Sequence, residues 1–238
     1  MTEILHYPLY KVALLMKRST AISLAAFSRE WLAAPAPSPR AGIVSFVHNY
    51  ADIGDVPIEN APPAPFDAID EFLFADRDSA MAWFGSKEFS QRFLAPRAAL
   101  LGAPVAAVSG TAVEVYRQDA QPAADTVKIL TFPVRKKSMS QHDFAHHWLV
   151  THAGIALAGD GTPQRLLRLI STPADRNLLP GMETAEFDGI GIVQFLSRAD
   201  FEKEFASDYY KSMLAPDEPR FTDIARSRVM LASEMRVI

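Results

Sequence analysis

KVALLMKRSTAISLAAFSREWL (residues 11–32) has a counterpart later in the chain, KILTFPVRKKSMSQHDFAHHWL (128–149), and this pair decides the fold. At an offset of 117 positions (128 − 11), a lysine, a serine, a phenylalanine and a Trp-Leu pair recur in the same order. The chain has three tryptophans, so a Trp-Leu match inside a matched frame is informative. The two stretches therefore indicate that one structural unit occurs twice.

Two further matches follow in the same order along the chain. FDAIDEFLFADRDSAMAWFGSKEF (66–89) aligns with FDGIGIVQFLSRADFEKEFASDYY (187–210) at an offset of 121 positions (187 − 66). The triplet Leu-Ala-Pro at 94–96 recurs at 214–216, at an offset of 120 (214 − 94). Chance alignment of two helical patterns is the alternative, but three ordered blocks at nearly constant offset favour a duplication.

The segment between the copies has the composition of a linker. QDAQPAADT is polar and rich in alanine and proline, and it lies between two strand-like runs. We therefore predict a first repeat at residues 1–118, a linker at 119–126 and a second repeat at 127–238.

Each copy carries the same order of predicted elements. A short apolar run predicts a buried strand, and Ser23 or Ser140 follows it where the N-cap of an amphipathic helix belongs. Two more strand-like runs, a second helix and a last strand complete the ferredoxin-like order β-α-β-β-α-β, with an antiparallel sheet and both helices on one face. Since the other apolar face must be covered, we predict an α+β fold in which two tandem units pack their sheets into an intramolecular α+β barrel.

The composition excludes several classes of function. A net charge of −4 provides no basic stripe, so we expect no nucleic-acid partner. The chain has no cysteine, which excludes disulfides, thiolate metal sites and a cysteine nucleophile, and fits a reducing cytoplasm. No stretch approaches the ~20 apolar residues of a membrane span, and the N-terminus lacks a secretory layout. We therefore predict a cytoplasmic protein without a membrane partner, either a monomer or a homodimer.

One histidine of the second copy stands out. Phe144, Trp148 and His152 fall at i, i+4 and i+8, on one face of the predicted helix. The position 117 residues before His152 (152 − 117) is Pro35, in a proline-rich run that ends the first helix early. We therefore expect the second copy to carry the site and the first to be a structural partner. A histidine suits proton transfer; the alternative is a core histidine bonded to the backbone.

Four stretches of the second copy carry a family resemblance: DFAHHWLVTHAGIA (143–156), FDGIGIVQF (187–195), LAPDEPRFTD (214–223) and ASEMRV (232–237). With them, the chain resembles the EthD family of the dimeric α+β barrel superfamily. The resemblance implies small cofactor-free decarboxylases, dehydratases or cyclases of polyketide and aromatic metabolism, or proteins without known activity. The wider superfamily includes cofactor-free monooxygenases, muconolactone-type isomerases and heme proteins, so the fold does not fix the function. The resemblance favours the functional interpretation of His152.

Other residues are candidates for the same site. Asp188 opens the third strand of the second copy and could orient His152 or act as a catalytic carboxylate itself. Asp67 matches it in the copy without the histidine, which favours a structural role such as capping a turn. Four further positions are candidates for substrate binding: the helix aromatic Trp148, a strand arginine (Arg168 or Arg165), the amide Gln194 that interrupts the apolar run IGIVQF, and a tyrosine hydroxyl (Tyr209 or Tyr210). The alternative for each is a role in packing or at an interface.

Cofactor and metal signatures are weak. His142 and His146 are four positions apart, a spacing that could bind a metal, but they lie on the helix face opposite Trp148 without a third ligand in register. No axial-ligand signature, P-loop, GxGxxG or zinc pattern is present. We therefore predict no cofactor and no metal. The long loops at 49–65 and 172–186 could cover pockets as lids or be irregular connectors.

These observations predict a cofactor-independent enzyme of the lyase or isomerase type. His152 would move a proton during decarboxylation, dehydration or cyclisation of a small aromatic or polyketide-like acid or ketone, with Arg168 or Gln194 stabilising the developing oxyanion. The second hypothesis is a non-catalytic module that binds a hydrophobic ligand, and the third is a cofactor-free monooxygenase. A cavity lined by His152 would favour the enzyme over the module.

Overall fold

A computed structural model describes residues 8–38, 41–51, 64–176 and 179–238. The elements of the first half are, in order, β1 (Leu9–Met16), α1 (Leu24–Ala33), β2 (Ile43–Ala51), β3 (Ala68–Phe74), α2 (Arg77–Phe84) and β4 (Ala106–Arg117). A π-helical stretch and a 3-10 helix connect α2 to β4, at Glu88–Leu94 and Ala95–Leu100.

The second half repeats the strand and helix order with more helical segments. Its elements are β5 (Val127–Phe132), α3 (Gln141–His146), α4 (Ala153–Ala158), α5 (Thr162–Arg165), β6 (Leu166–Pro173), β7 (Glu183–Thr184), β8 (Gly189–Phe195), α6 (Arg198–Ala206), α7 (Glu218–Phe221) and β9 (Arg228–Arg236). A π-helical stretch, His147–His152, joins α3 to α4 into one continuous helical segment, and another, Tyr210–Leu214, follows α6.

Eight antiparallel strands close into a barrel, which confirms the predicted α+β barrel. The order around the ring is β1-β3-β2-β9-β5-β8-β6-β4, and β4 pairs with β1 again. Each half contributes four neighbouring strands in the order fourth, first, third, second, as a ferredoxin-like sheet requires. The edge strands of one half pair with those of the other, β2 with β9 and β4 with β6. Closure leaves no barrel edge exposed, so neither sheet presents a free strand for aggregation.

The first helix of each half begins as the sequence predicts. Ser23 and Ser140 are both in extended backbone, and each side-chain oxygen accepts a hydrogen bond from the backbone N–H three residues later. A serine in this geometry satisfies one of the unpaired donors of the first helical turn. The two helices therefore start at equivalent points after β1 and β5.

Strand alternation separates the interior of the barrel from its outer face. On β5, Lys128, Leu130 and Phe132 point inward, whereas Ile129 and Thr131 lie beneath the helices, because successive side chains of a strand point to opposite faces. Buried aliphatic and aromatic side chains fill much of the interior, among them Ala13, Leu15, Ile69, Leu130, Phe132, Ile190 and Met230. The helices of each half pack on the outer face and form separate cores there.

Of the two long loops predicted as possible lids, the structure describes mainly the second. Most of the predicted lid at 49–65 lies outside the described residues. The loop at 172–186 begins with the end of β6 and contains β7, which pairs in parallel with β4 at Ala106 and Ala107. No helix of the described part is long and apolar enough to cross a membrane.

Candidate functional site

A cavity of about 120 Å³ lies between the helices and the outer sheet face of the second half. Outward side chains of β5, β6 and β8 form its floor, and the helical segment with Trp148 and His152 forms one wall. Tyr210 and Glu218, which follow α6, close the other side. The predicted site residues Trp148 and His152 therefore share one cavity.

Glycines on β8 let the tryptophan lie flat against the strand. A Cβ built on Gly191 would be 3.0 Å from Cζ2 of Trp148 and would clash with Oγ1 of Thr131. The aligned residue of the first half is Asp70 (191 − 121), a buried carboxylate that accepts a hydrogen bond from Trp31. Gly191 therefore helps to set the position of the cavity wall.

His152 is held by a carboxylate that the sequence analysis did not select. Its Nδ1 lies 3.0 Å from Oδ2 of Asp217, and Nε2 of His147 lies 3.1 Å from both oxygens of the same carboxylate. Asp217 is buried, and although burial opposes its charge, hydrogen bonds from the two histidines keep its pKa below the ordinary value. A carboxylate at Nδ1 favours the tautomer with the proton on that atom, which leaves Nε2 as the basic nitrogen.

The environment of His152 favours its neutral imidazole form. Burial lowers the pKa of His152, and the nearby Asp217 offsets only part of that effect. The ring also packs against Phe221 at a centroid distance of 4.9 Å, which limits its rotation. A positioned, unprotonated imidazole is the form that removes a proton from a carbon or hydroxyl acid.

Glu218 also lines the cavity, and its carboxyl group has a raised pKa. Burial raises the pKa of Glu218 from 4.5 to about 7, and the neighbouring Asp217 acts in the same direction, whereas a 3.5 Å hydrogen bond from the Tyr210 hydroxyl opposes it. A substantial fraction of this side chain is therefore a carboxylic acid near neutral pH and can donate a proton. His152 and Glu218 line the same cavity.

A second carboxylate at the cavity, Glu204, is fully engaged. Arg165 donates from Nε to its Oε2 at 2.7 Å, and the Thr162 hydroxyl donates to Oε1 at 2.9 Å. Arg165 therefore stabilises the wall of the cavity, from helix α5 rather than from the strand on which we had placed it. Its paired guanidinium is committed to Glu204 instead of a substrate.

Arg168 and Gln194 lie on the other side of the sheet. Nε of Arg168 donates to Oε1 of Gln194 at 2.6 Å, and both side chains point into the barrel. On β8 it is Val193 that faces the His152 cavity. The expectation that Arg168 or Gln194 assists His152 is therefore wrong, because strand alternation places them in a different cavity.

Asp188 and Tyr209 have structural contacts instead of positions at the cavity. Asp188 accepts a hydrogen bond from the backbone N–H of Arg135 and pairs with the guanidinium groups of Arg135 and Arg176, at 3.2 and 2.6 Å. The Tyr209 hydroxyl donates to the carbonyl of Ile155 at 2.8 Å. The structure thus does not bring Asp188 to His152, and Tyr210 occupies the cavity position proposed for Tyr209.

The exposed histidines are as the sequence predicts. His142 and His146 lie on the solvated face of α3. The part of the chain that the structure describes contains no group of three or more His, Cys, Asp or Glu side chains arranged to hold a metal ion.

The sequence did contain a signal for Asp217. The triplet Leu-Ala-Pro precedes Arg97 in the first half and Asp217 in the second. The comparison of the two copies that singled out His152 would also have selected Asp217, because the aligned residue of the first half, Arg97, has the opposite charge. Glu218 also had such a signal, since the aligned residue of the first half is Ala98 (218 − 120), but its raised pKa depends on burial that only the fold creates.

Aromatic side chains fill the corresponding region of the first half. Nε1 of Trp31 donates to the buried Asp70 at 2.8 Å, and Phe72 and Phe93 pack close by. Arg97 donates to backbone carbonyls at the end of α1, including that of Pro35. The first half is thus packed where the second half has a cavity.

Comparison with known proteins supports the family resemblance. The EthD domain family matches residues 136–225, which include His152, Asp217 and Glu218. No curated protein matches the sequence.

Solved structures share the fold over nearly the whole chain. An anthrone oxidase-like protein has a TM-score of 0.60 at 11% identity, over 96% of this chain and 93% of its own. A proposed monooxygenase from Lactobacillus acidophilus has a TM-score of 0.56 at 11% identity, over 98% and 96%. A chlorite dismutase variant from Candidatus Nitrospira defluvii has a TM-score of 0.51 at 8% identity, over 94% and 91%. Identities this low relate the folds alone.

Proposed function

We propose that the cavity in the stretch that matches the EthD domain family, residues 136–225, catalyses proton transfer without a cofactor, in a lyase or isomerase reaction on a small carbonyl compound. The observation that carries the proposal is that one cavity is lined by His152, whose Nδ1 contacts the Asp217 carboxylate at 3.0 Å, and by Glu218, a carboxyl group that is partly protonated near neutral pH. Burial lowers the pKa of His152 and raises that of Glu218, so one group is an unprotonated base while the other can hold a proton, which is the arrangement that acid–base catalysis needs.

In the proposed reaction, His152 removes a proton from the carbon next to a carbonyl group. Asp217 stabilises the imidazolium that forms and keeps Nε2 as the reactive nitrogen. Glu218 donates a hydrogen bond or a proton to the carbonyl oxygen as negative charge develops there. The resulting enol collapses by protonation at another carbon, by loss of water or by ring closure, depending on the substrate.

The cavity limits the substrate to about one ring. Its volume of about 120 Å³ is close to that of an engineered protein cavity of roughly 150 Å³ that binds benzene. A porphyrin, with four pyrrole rings, does not fit this cavity. A single-ring ketone or a short-chain β-keto acid matches the space and the largely apolar floor.

The test measures hydrogen exchange in heavy water. Proton NMR of a panel of single-ring ketones and short β-keto acids reports loss of the hydrogens next to the carbonyl. We expect the wild type to accelerate exchange of at least one compound, and His152→Ala to reduce the rate by about 10²-fold or more. His146→Ala, on an exposed position of the same helical segment, is the matched control and should exchange at the wild-type rate. Undiminished exchange by His152→Ala would contradict the proposal.

The non-catalytic binding module predicts a different result in the same samples. Saturable binding of a ring compound, without accelerated exchange in the wild type, would favour the module. The small apolar floor supports this alternative, because such a surface binds a ring without needing the histidine.

An oxidase function is the second candidate, and the His152–Asp217 pair supports it. A neutral base could deprotonate an electron-rich phenol or an activated methylene, which O₂ then oxidises: a CH₂ group and O₂ give a carbonyl and water. Two similar folds are described as a proposed monooxygenase and an anthrone oxidase-like protein. Oxygen uptake measured with an electrode, dependent on His152, would favour this candidate over proton transfer alone.

A further inference from the structure

A second and larger cavity, of about 620 Å³, lies inside the barrel at one end. Strands from both halves line it, and the stretch at 118–122 between β4 and β5 borders it. Small eight-stranded barrels usually have an interior just wide enough to be filled by side chains. The size of this cavity lies within the range of small-molecule sites, roughly 300–1,000 Å³.

Buried charges form the inner wall of this cavity. Two lysines that match in the sequence alignment meet at one carboxylate: Lys11 and Lys128 lie 2.6 and 2.7 Å from the two oxygens of Glu71. Lys128 also contacts Glu234 at 2.8 Å. Asn49 also donates to Glu71 at 3.0 Å, so this carboxylate accepts three hydrogen bonds. A buried ionic cluster is generally no more stable than apolar packing, so its stability does not explain why it is present.

The lining carries an excess of positive charge. It contains five cationic side chains and two carboxylates, although the chain as a whole has a net charge of −4: Lys11, Lys128, Arg117, Arg168, Arg236, Glu71 and Glu234. The lysines are neutralised within the ionic cluster, and Arg117 pairs with Glu114 at 2.8 Å. Arg168 and Arg236 supply the remaining positive charge, and Nε of Arg236 donates to the Ile238 carbonyl at 3.2 Å. A site with this balance favours an anion.

Arg168 is held ready for such a ligand. Gln194 accepts from its Nε at 2.6 Å and Glu234 from its Nη2 at 3.2 Å. Nη1 has no hydrogen-bond partner among the described residues. Two hydrogen bonds already order this guanidinium, and its Nη1 is available to a ligand. Binding a carboxylate there would therefore cost little conformational entropy. Lys11, buried at 1% exposure, likewise has Glu71 as its one acceptor in the described part of the chain.

We propose that this end of the barrel is a binding site for a small organic carboxylate, with Arg168 and Arg236 holding the carboxylate group. Apolar side chains of the inner sheet face would contact the carbon skeleton: Leu73, Ile170 and Ile192. The site is separate from the His152 cavity, because strands β5, β6 and β8 lie between them. The proposal is therefore independent of the proposed proton-transfer reaction.

Three brominated carboxylates test the proposal: 4-bromobenzoate, 4-bromophenylacetate and 6-bromohexanoate. Calorimetric titration of the whole protein measures the dissociation constant, and anomalous diffraction from soaked crystals locates the bromine. We expect at least one acid to bind with its bromine inside the barrel, and the matching neutral amide to bind at least tenfold more weakly.

Variants separate the two cavities. Arg168→Gln should raise the dissociation constant at least tenfold, and His152→Ala should leave it unchanged. If Arg168→Gln does not fold, the exposed Arg236→Gln provides the same comparison. Absence of saturable binding by all three acids, equal affinity for acid and amide, or bromine located only beside His152 would overturn the proposal.

Discussion

Arg97 and Asp217 follow the same Leu-Ala-Pro triplet in the two halves. Each contacts the end of the helical segment that carries the aligned tryptophan of its own half, Trp31 or Trp148. Arg97 donates to backbone carbonyls and closes the end of α1. Asp217 accepts hydrogen bonds from His147 and His152. The same position therefore carries a cation in the first half, where the region is packed, and a carboxylate in the second half, where it pairs with histidines.

Arg97→Met should destabilise the first half. Arg97 is 1% exposed, and its guanidinium donates to four carbonyls while packing over the ring of Phe93 at 4.1 Å. The four acceptors belong to Trp31, Ala34, Pro35 and Phe93. Methionine retains packing volume but leaves the carbonyls without their donor, so we expect a loss of about 2–4 kcal/mol in the free energy of unfolding by urea.

The control for this change is Arg92→Met, at an exposed position of the preceding π-helical stretch. It should alter the free energy of unfolding by less than about 0.5 kcal/mol. Equal effects of the two substitutions would show that the carbonyl contacts of Arg97 contribute nothing.

Asp217→Asn should lower the pKa of His152 further. In the wild type, burial holds the pKa of this histidine below 6.5, and the Asp217 carboxylate partly offsets the effect. Asparagine has no negative charge, so the attraction that stabilises the protonated ring of His152 is lost. Ring ¹⁵N chemical shifts followed across a pH titration measure both values without any substrate.

Asp208→Asn is the control, since Asp208 is exposed. Its His152 titration should coincide with that of the wild type. A wild-type pKa above 6.5, or a rise on Asp217→Asn, would contradict the assigned geometry.

Glu218→Gln should stabilise the protein above neutral pH. The folded-state pKa of Glu218, about 7, exceeds the ordinary value of 4.5, so the folded state holds a proton more tightly than the unfolded state. Preferential protonation of the folded state therefore stabilises the protein fully below pH 4.5, and this stabilisation is lost as pH rises to about 7. Glutamine avoids the burial of a charge, and we expect its advantage over the wild type to grow by about 2–3 kcal/mol across that interval.

Urea unfolding of both proteins from pH 4 to pH 8 provides the measurement. Glu202→Gln, at an exposed position of α6, is the control and should show no such divergence. Parallel stability curves for wild type and Glu218→Gln would mean that Glu218 ionises normally.

The sequence predicted the barrel and the helix that carries the site, because both depend on periodic patterns. It could not assign Arg168 and Gln194 to a face. Both faces of a barrel strand are buried here, so the strand has no polar side to fix which residues point inward. The polar interruption at Gln194 did indicate a buried amide, but in the barrel instead of the His152 cavity.

The His152–Asp217 contact also depends on the fold beyond local pattern. The two residues are 65 positions apart, and a π-helical stretch, His147–His152, determines how the imidazole faces the carboxylate. Such stretches recur at functional sites but have no reliable sequence pattern. Asp188, chosen for its place at a strand start, is instead paired with two arginines.

Gly191→Ala should disturb the cavity wall and destabilise the second half. The added methyl group would clash with Oγ1 of Thr131 and press on the indole of Trp148, so the tryptophan or the strand must move. Overpacking of this kind typically costs about 1–3 kcal/mol.

Gly154→Ala is the matched control, because a Cβ there meets nothing within 4 Å in helix α4. Alanine should stabilise that helix by roughly 0.5–1 kcal/mol. Thermal unfolding measures both changes, and tryptophan fluorescence of Gly191→Ala should shift if Trp148 is displaced. If Gly191→Ala is as stable as Gly154→Ala, with unaltered fluorescence, then this glycine does not set the wall of the site.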